Sequence, residues 1–345
     1  MVLQSGRAVP TLSLQRCLSG SLTAVRYWAS LNMVPTEPCY DALCRLGDNE
    51  MGRLLDETGE ERFRLKASRF AASMSQEPPA QVLYQGVMAA LGYARNKETF
   101  QELACRLPLA VLESVCRDKG YRERVVLLRA LLLGMAGLLP NDGEKGLAWR
   151  CLGGRKPLSL SRWHLFRVRP ENHPARRLTG AAHLLARFGD EGLLEGVLRL
   201  VGESRSDIGR LEAGFIVAGE GRRSPGRRAL IGQSRAREIV VNIALPFAYA
   251  WAEASSQTSL AEAALWLYRI YPKSNENEIT RGLTRLLGSK ASGLVDSARR
   301  QQGLLHLDKT FCCQRRCDIC PVNKELAGCG AITLPRGLNL TESST

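Results

Sequence analysis

Five cysteines fall within eighteen residues near the C-terminal end: Cys312, Cys313, Cys317, Cys320 and Cys329. Cys312, Cys317, Cys320 and Cys329 supply four thiolates, and the two-residue gap between Cys317 and Cys320 lets both sulfurs face one metal ion. Pro321 directly after Cys320 matches the Cys-Pro ending of many iron–sulfur ligand runs. Four thiolates suit a tetrahedral structural zinc equally well. The spacing thus predicts one metal site, an iron–sulfur cluster or zinc, with Cys329 the outermost ligand. Reduced thiols or a redox-labile disulfide are the metal-free alternative. Arg315 and Arg316 stand between the ligands, where they would offset thiolate charge, and His306 is placed as a substitute or outer ligand. The other six cysteines are scattered, and an odd total of eleven argues for reduced thiols plus one local site.

A second chemistry is suggested by clustered arginine. Arg167 and Arg169 precede Pro170, Arg176 and Arg177 follow it, and His183 and Arg187 continue at near-helical spacing. A Gly-rich loop adds Arg222, Arg223, Arg227 and Arg228. Lys and Arg together number 48, mostly Arg, against 34 acids, for a net charge of +14. Guanidinium suits bidentate contact with phosphate, and clustered positive charge releases counterions from a phosphate backbone. Nucleic acid or another polyanion is the partner class this favours. Compositional bias toward Arg and a solvated, salt-bridged face are the bland readings. Aromatic residues for stacking single-stranded bases are sparse, with Trp163 and Phe166 the evident ones.

No reaction is named by the remaining polar residues. Asp142-Gly143-Glu144-Lys145 lacks the spacer of a nuclease acid–acid–lysine group and reads as a turn. Glu276 and Glu278 suit a helix first turn. His164 reads as a packing residue and His173 as a helix start. No H-E-x-x-H pattern or glycine-rich nucleotide loop occurs.

These residues need elements to carry them, and from about residue 50 the apolar periodicity is helical. Thr58-x-x-Glu61 has capping-box spacing; beyond it Phe63, Ala67, Phe70 and Met74 line one face and Arg62, Lys66 and Arg69 another. Pro79 starts a helix that Gly92 stops, Asn96 opens one ending near Pro108, and Arg122 to Leu139 follow a short helix. Residues 140–160 read as a loop or linker. Pro174 starts a helix with Leu178, Ala182, Leu185 and Phe188 inside and Arg176, Gly180, His183 and Arg187 opposite. After a loop over 218–234, a buried helix runs from about Ser234 to Ala254. Pro246 removes the donor that the Asn242 carbonyl expects, which predicts a kink, and the Asn242 side chain then needs a buried partner, such as an Arg of the 167–177 region. Ser259-x-x-Glu262 and Asn275-x-x-Glu278 have capping spacing.

Several stretches together resemble the bacterial domain-of-unknown-function 2851 family. They are VLYQGVMAALGYARNKE from Val82 to Glu98, RVRPENHPARRL from Arg167 to Leu178, IGQSRAREIVVNIALPF from Ile231 to Phe247, SNENEITRGL from Ser274 to Leu283, and LLHLDKTFCCQRRCDICP from Leu304 to Pro321. The resemblance implies longer relatives with a nuclease-like N-terminal region, of which residues 1–20 look like the tail. The acidic and His-containing motif of that region does not occur in this sequence.

The expected fold is mainly α: an irregular multi-helix bundle or array with a short extended N-terminal segment and a C-terminal Cys-rich metal loop. Its expected divisions are 1–49, helical sub-bundles at 50–139 and 161–303 joined by 140–160, and a Cys-rich segment at 304–345. With 45% hydrophobic and 24% charged residues, the composition is that of a globular chain. The longest apolar run, Val125 to Leu139, is broken by Arg129 and is shorter than a membrane span. The acid-free first 36 residues carry Arg7, Arg16 and Arg26, but Pro10 and Gly20 break up a presequence helix. A cytoplasmic location without membrane contact is expected. The function expected is nucleic-acid association through the Arg surfaces with a structural cluster or zinc; the alternative is a non-enzymatic helical scaffold whose Cys-rich loop is a structural metal site.

Overall fold

A computed structural model describes residues 46–139, 146, 152, 154–219, 229–275, 280–281 and 291–328. Over these residues the fold is mainly α, and extended pairing is limited to two isolated bridges, Val217 with Ile231 and Pro272 with Ser297. No described helix is long and apolar enough to cross a membrane. The extended segment expected at the N-terminus lies almost wholly outside the described residues.

Helix α1, Asp48–Met74, begins where the Glu50 carboxylate accepts the Gly47 N–H at 3.0 Å. Thr58, expected to open a helix, instead sits buried in mid-helix. The apolar residues Met51, Leu54 and Leu55 carry the helical stripe through it, and its hydroxyl donates to the Leu54 carbonyl at 2.7 Å. Helix α2, Pro79–Leu91, has proline in its first turn and Gly92 at its end, as expected. Helix α3, Tyr93–Arg106, starts three residues before Asn96. The short α4, Leu109–Cys116, leads into α5, Tyr121–Met135.

Of the 140–160 segment, Leu158 is described and buried, and its N–H donates to the Met135 carbonyl at 2.7 Å. Helix α6, Pro174–Arg187, starts at the expected proline, with His173 Nδ1 accepting the Ala175 N–H. Its face opposite Leu178 is partly covered: Gly180 packs against Ile231 and Leu230, whereas Arg187 stays exposed. Helices α7, Leu193–Glu203, and α8, Ile208–Phe215, follow. Helix α9, Gln233–Ile239, passes through a π turn, Val240–Ala244, into α10, Leu245–Ala254. The kink expected from Pro246 takes this form: the hydrogen bonds slip to the longer i+5 register, so Leu245 N–H reaches Val240 O. Helix α11, Thr258–Ile270, begins one residue before Ser259. Helix α12, Ala291–Leu294, and α13, Ala298–Leu307, precede a second π turn, Asp308–Cys312, a 3₁₀ turn, Cys317–Ile319, and α14, Pro321–Gly328.

Two apolar cores result. The larger runs from Phe63 through α2–α6 to α11 and Ala298, so helices on both sides of 140–160 share one interior. The smaller joins Met51, Leu54 and Leu55 of α1 to Leu304 and Leu307 of α13, and to Cys320 and Val322. Helix α1 thus belongs to both and lies along α13, some 240 residues away in sequence.

Candidate functional site

The Cys-rich segment is built around a tight reversal. Arg315 takes a left-handed φ of 53°, and Asn323 Nδ2 closes the following turn by donating to the Cys317 carbonyl at 2.7 Å. Cys320 is buried in the smaller core at 6% exposure, immediately before α14. Burial pushes its thiol up, while backbone hydrogen bonding from Val322 and Asn323 acts in the opposite direction. Cys317 is half-buried and close enough to raise Cys320 further. Cys312 and Cys313 are exposed, and the Cys313 thiol is raised first by the charge of Asp308, to which it donates at 3.6 Å. Among the described residues no three His, Cys, Asp or Glu groups converge in a metal-holding arrangement. Cys329 lies outside them. His306 is engaged elsewhere: it is buried, with Nε2 at 3.3 Å from the Glu61 carboxylate and Nδ1 at 3.4 Å from Thr310 Oγ1.

The arginines divide sharply. Arg177, expected on an anion-binding surface, is an interior residue at 5% exposure. Its guanidinium donates to the Leu230 carbonyl at 2.7 Å, the Tyr93 hydroxyl at 2.6 Å and Asn172 Oδ1 at 2.7 Å. Arg176 is half-buried and reaches the Ala229 carbonyl. Arg187 donates to the carbonyls of Ala213, Gly214 and Ile216, satisfying the open C-terminal end of α8. Arg222, Arg223, Arg227 and Arg228 lie outside the described residues. Arg167 and Arg169 remain exposed.

Arg167 and its neighbours form a presented loop. Asn96 clamps the loop through both ends of its amide, donating to the His164 carbonyl at 3.0 Å and accepting the His164 N–H at 2.8 Å. Thr99 donates to the Arg162 carbonyl at 2.9 Å, and Arg162 pairs with Glu102. Trp163 turns inward, donating Nε1–H to the Ala136 carbonyl at 2.8 Å and meeting Phe100 edge-on. His164, expected to pack, is exposed and lies 2.8 Å from Arg95 Nη1. Arg167 adopts φ 53°, which sets its guanidinium 5.1 Å from the centroid of the Phe166 ring. Phe166 is 70% exposed.

A third cluster was not foreseen. Lys66 of α1 meets Asn242 in the first π turn and Gln302 of α13, with Glu238 and Arg62 beside it. The partner of Asn242 is therefore a lysine of α1, not an arginine of 167–177. Burial first, and the Arg62 charge second, hold the Lys66 ammonium well below the ordinary lysine range. The signals were present in the sequence: Arg62, Lys66 and Arg69 at helical spacing, and Gln302 and His306 one turn apart.

A groove of about 420 Å³ between α1 and α13 is lined by Asp56, Glu60, Arg64, Arg299 and Arg300 among others. Its charges are spent on each other: Arg300 Nε is 3.0 Å from Asp56, and Arg269 and Arg299 lie 2.7 and 3.0 Å from Glu60. Those hydrogen bonds, Arg269 foremost, hold the Glu60 carboxyl below its usual range. The groove is an interhelical clasp.

The family described as "Protein of unknown function (DUF2851)" matches residues 1–202. The chain belongs to the DUF2851 family. No curated protein and no solved structure matches it. The DUF2851 match takes in α1 through most of α7, including Arg62 and Lys66 and the clamped loop with Phe166. Glu238, Asn242, Gln302 and the cysteines of 312–329 lie beyond the matched residues.

Proposed function

We propose that this DUF2851 chain binds single-stranded nucleic acid through the loop that presents Phe166, Arg167 and Arg169, with Arg95 beside it. The observation carrying this reading is Phe166 itself: a largely exposed phenyl ring, next to a guanidinium, on a loop pinned by Asn96. Exposing a phenyl ring forgoes its burial, and a stacked base would recover it. Base–aromatic stacking is worth about 1–3 kcal/mol per base, and the adjacent arginines supply phosphate contacts that position the strand. Arg177, Arg176 and Arg187 take no part, because they bond to the protein's own carbonyls.

A labelled oligothymidylate titrated by fluorescence anisotropy tests this. Phe166→Ala is expected to weaken binding by about tenfold at every salt concentration, as the loss of one stack implies. Charge reversal at Arg167 and Arg169 is expected to flatten the salt dependence by about two counterions. Absence of binding at low salt would overturn the reading in favour of a helical scaffold.

In the same reading the Cys-rich segment is a structural metal centre held by Cys312, Cys317, Cys320 and Cys329, taking zinc or an iron–sulfur cluster. The donor chemistry in its favour is the adjacency of Cys317 and Cys320, together with the backbone hydrogen bonding from Val322 and Asn323 that favours the Cys320 thiolate. Such donors stabilise a thiolate ligand. Anaerobic purification with metal analysis and an absorption spectrum distinguishes the two metals. Cys317→Ser and Cys320→Ser are expected to abolish loading, whereas Cys105→Ser and Cys116→Ser retain it. Metal-free protein with all its C-terminal thiols open to alkylation is the contrary result.

A further inference from the structure

The Lys66 cluster is a seam between three elements. From α1 come Glu61, Arg62, Lys66 and Arg69; from α9 and the first π turn come Glu238 and Asn242; from α13 and the second π turn come Gln302, His306 and Lys309. Lys66 Nζ donates to Asn242 Oδ1 and, at 2.7 Å, to Gln302 Oε1. The same Gln302 oxygen accepts Arg62 Nε at 2.8 Å. Asn242 has no freedom to turn, because its Nδ2 donates to the Glu238 carboxylate at 2.8 Å and to the Glu238 carbonyl at 3.0 Å. Two cations are thus held by two neutral amide oxygens, and one of these oxygens serves both.

The charges around Lys66 do not balance. Arg62, Arg69 and Lys309 all act on Lys66 as like charges, against Glu238 alone as a favourable one. Glu61 is turned to His306, whose own proton affinity is lowered first by burial. Desolvation also acts on Arg62, which stays protonated in any case. Positive charge gathered out of bulk water without matching acid is costly unless an anion joins it. The seam is not sealed from solvent: Arg62, Lys66, Glu238 and Asn242 each keep partial exposure, and Arg69 stands exposed at the rim. Both interruptions of regular helix, the two π turns, border this seam, and such turns re-aim side chains where a regular helix would not.

We propose that this seam binds a phosphate group, with Lys66 and Arg62 at its floor and Arg69 at its rim. Phosphate oxygens would take the donors that Lys66 and Arg62 now direct at a shared amide oxygen, and the added negative charge would favour the protonated lysine. The proposal does not depend on the Phe166 loop, none of whose residues contributes to the seam.

Calorimetric titration with inorganic phosphate, against chloride at equal ionic strength, is the test. The full chain is expected to bind one phosphate saturably. Lys66→Gln is expected to weaken binding by about tenfold or more, the value of a charge-assisted hydrogen bond. Arg69→Gln, at an exposed position that leaves packing intact, is expected to weaken it by a few-fold with an unchanged melting temperature, and so serves if the Lys66 variant folds poorly. Phe166→Ala should leave phosphate binding unaltered. Displacement of phosphate by an oligonucleotide would identify the group as a nucleic-acid backbone phosphate, and displacement only by small phosphate compounds as a free one. No saturable binding, or undiminished binding in both Lys66→Gln and Arg69→Gln, overturns the site.

Discussion

Replacing Gly303 by alanine is expected to destabilise the fold by about 3 kcal/mol, at the upper end of overpacking costs. Helices α1 and α13 approach so closely that a Cβ at Gly303 would lie 2.3 Å from the Leu55 carbonyl oxygen and 2.8 Å from Thr58 Oγ1. The reverse contact is as tight, since a Cβ at Gly59 would lie 2.2 Å from the Arg299 carbonyl oxygen. The nearest obstacle in each case is main chain, so no rotamer change relieves it and the two helices must separate. Separation would stretch the Asp56–Arg300 pair, now 3.0 Å. Gly293→Ala is the matched control, since nothing lies within 4 Å of its added methyl. Urea denaturation of the three proteins should show a lowered midpoint for Gly303→Ala only. A shift at Gly303 as small as that at Gly293 would contradict the close crossing.

Glu212→Ala is expected to cost about 3 kcal/mol or more, as removal of one member of a buried pair does. Glu212 is 5% exposed on α8, and three groups converge on its carboxylate: Arg237 Nε at 2.7 Å, the Tyr271 hydroxyl at 3.1 Å and Gln233 Nε2 at 2.9 Å. Without it, the Arg237 guanidinium is left in a half-buried site and the Tyr271 hydroxyl, in a fully buried one, loses its acceptor. Burial already pushes the Tyr271 phenol far up, with Glu212 adding to it, so ionisation offers no relief. A double-mutant cycle with Arg237→Ala isolates the pair. Strong coupling is the expected result, and additivity of the two losses would show that the energy lies in packing.

The two variants probe interactions of very different legibility. Helix limits set by local chemistry could be read directly: Pro79 and Gly92 bracket α2, and Pro174 starts α6 with His173 at its cap. Thr58 misled because the spacing of a capping box carries no information about whether the apolar stripe continues upstream. The fate of Arg177 was equally hidden, since its partners Tyr93 and Leu230 lie 84 and 53 residues away. An arginine destined for the interior and one destined for solvent look alike until such partners are known. For the same reason Phe166 and Trp163, indistinguishable as stacking residues in sequence, part company in the fold. The side that faces inward is set by the Asn96 clamp. Lys66 was placed on a polar face correctly, but α13 packs over part of that face and leaves Lys66 half-buried.

The pairing of α1 with α13 also bears on how the chain is made. Translation adds about 5–20 residues per second, and domains fold as their parts emerge. The roughly 240 residues between Gly59 and Gly303 therefore keep α1 without its partner for more than about ten seconds. During that interval Met51, Leu54 and Leu55, which α13 later covers, face the surroundings as an apolar stripe. The larger core can assemble first around Phe63 and the helices that follow. Closure of the smaller core then waits for α13 to leave the ribosome, which makes newly made chains most vulnerable to aggregation and proteolysis at α1.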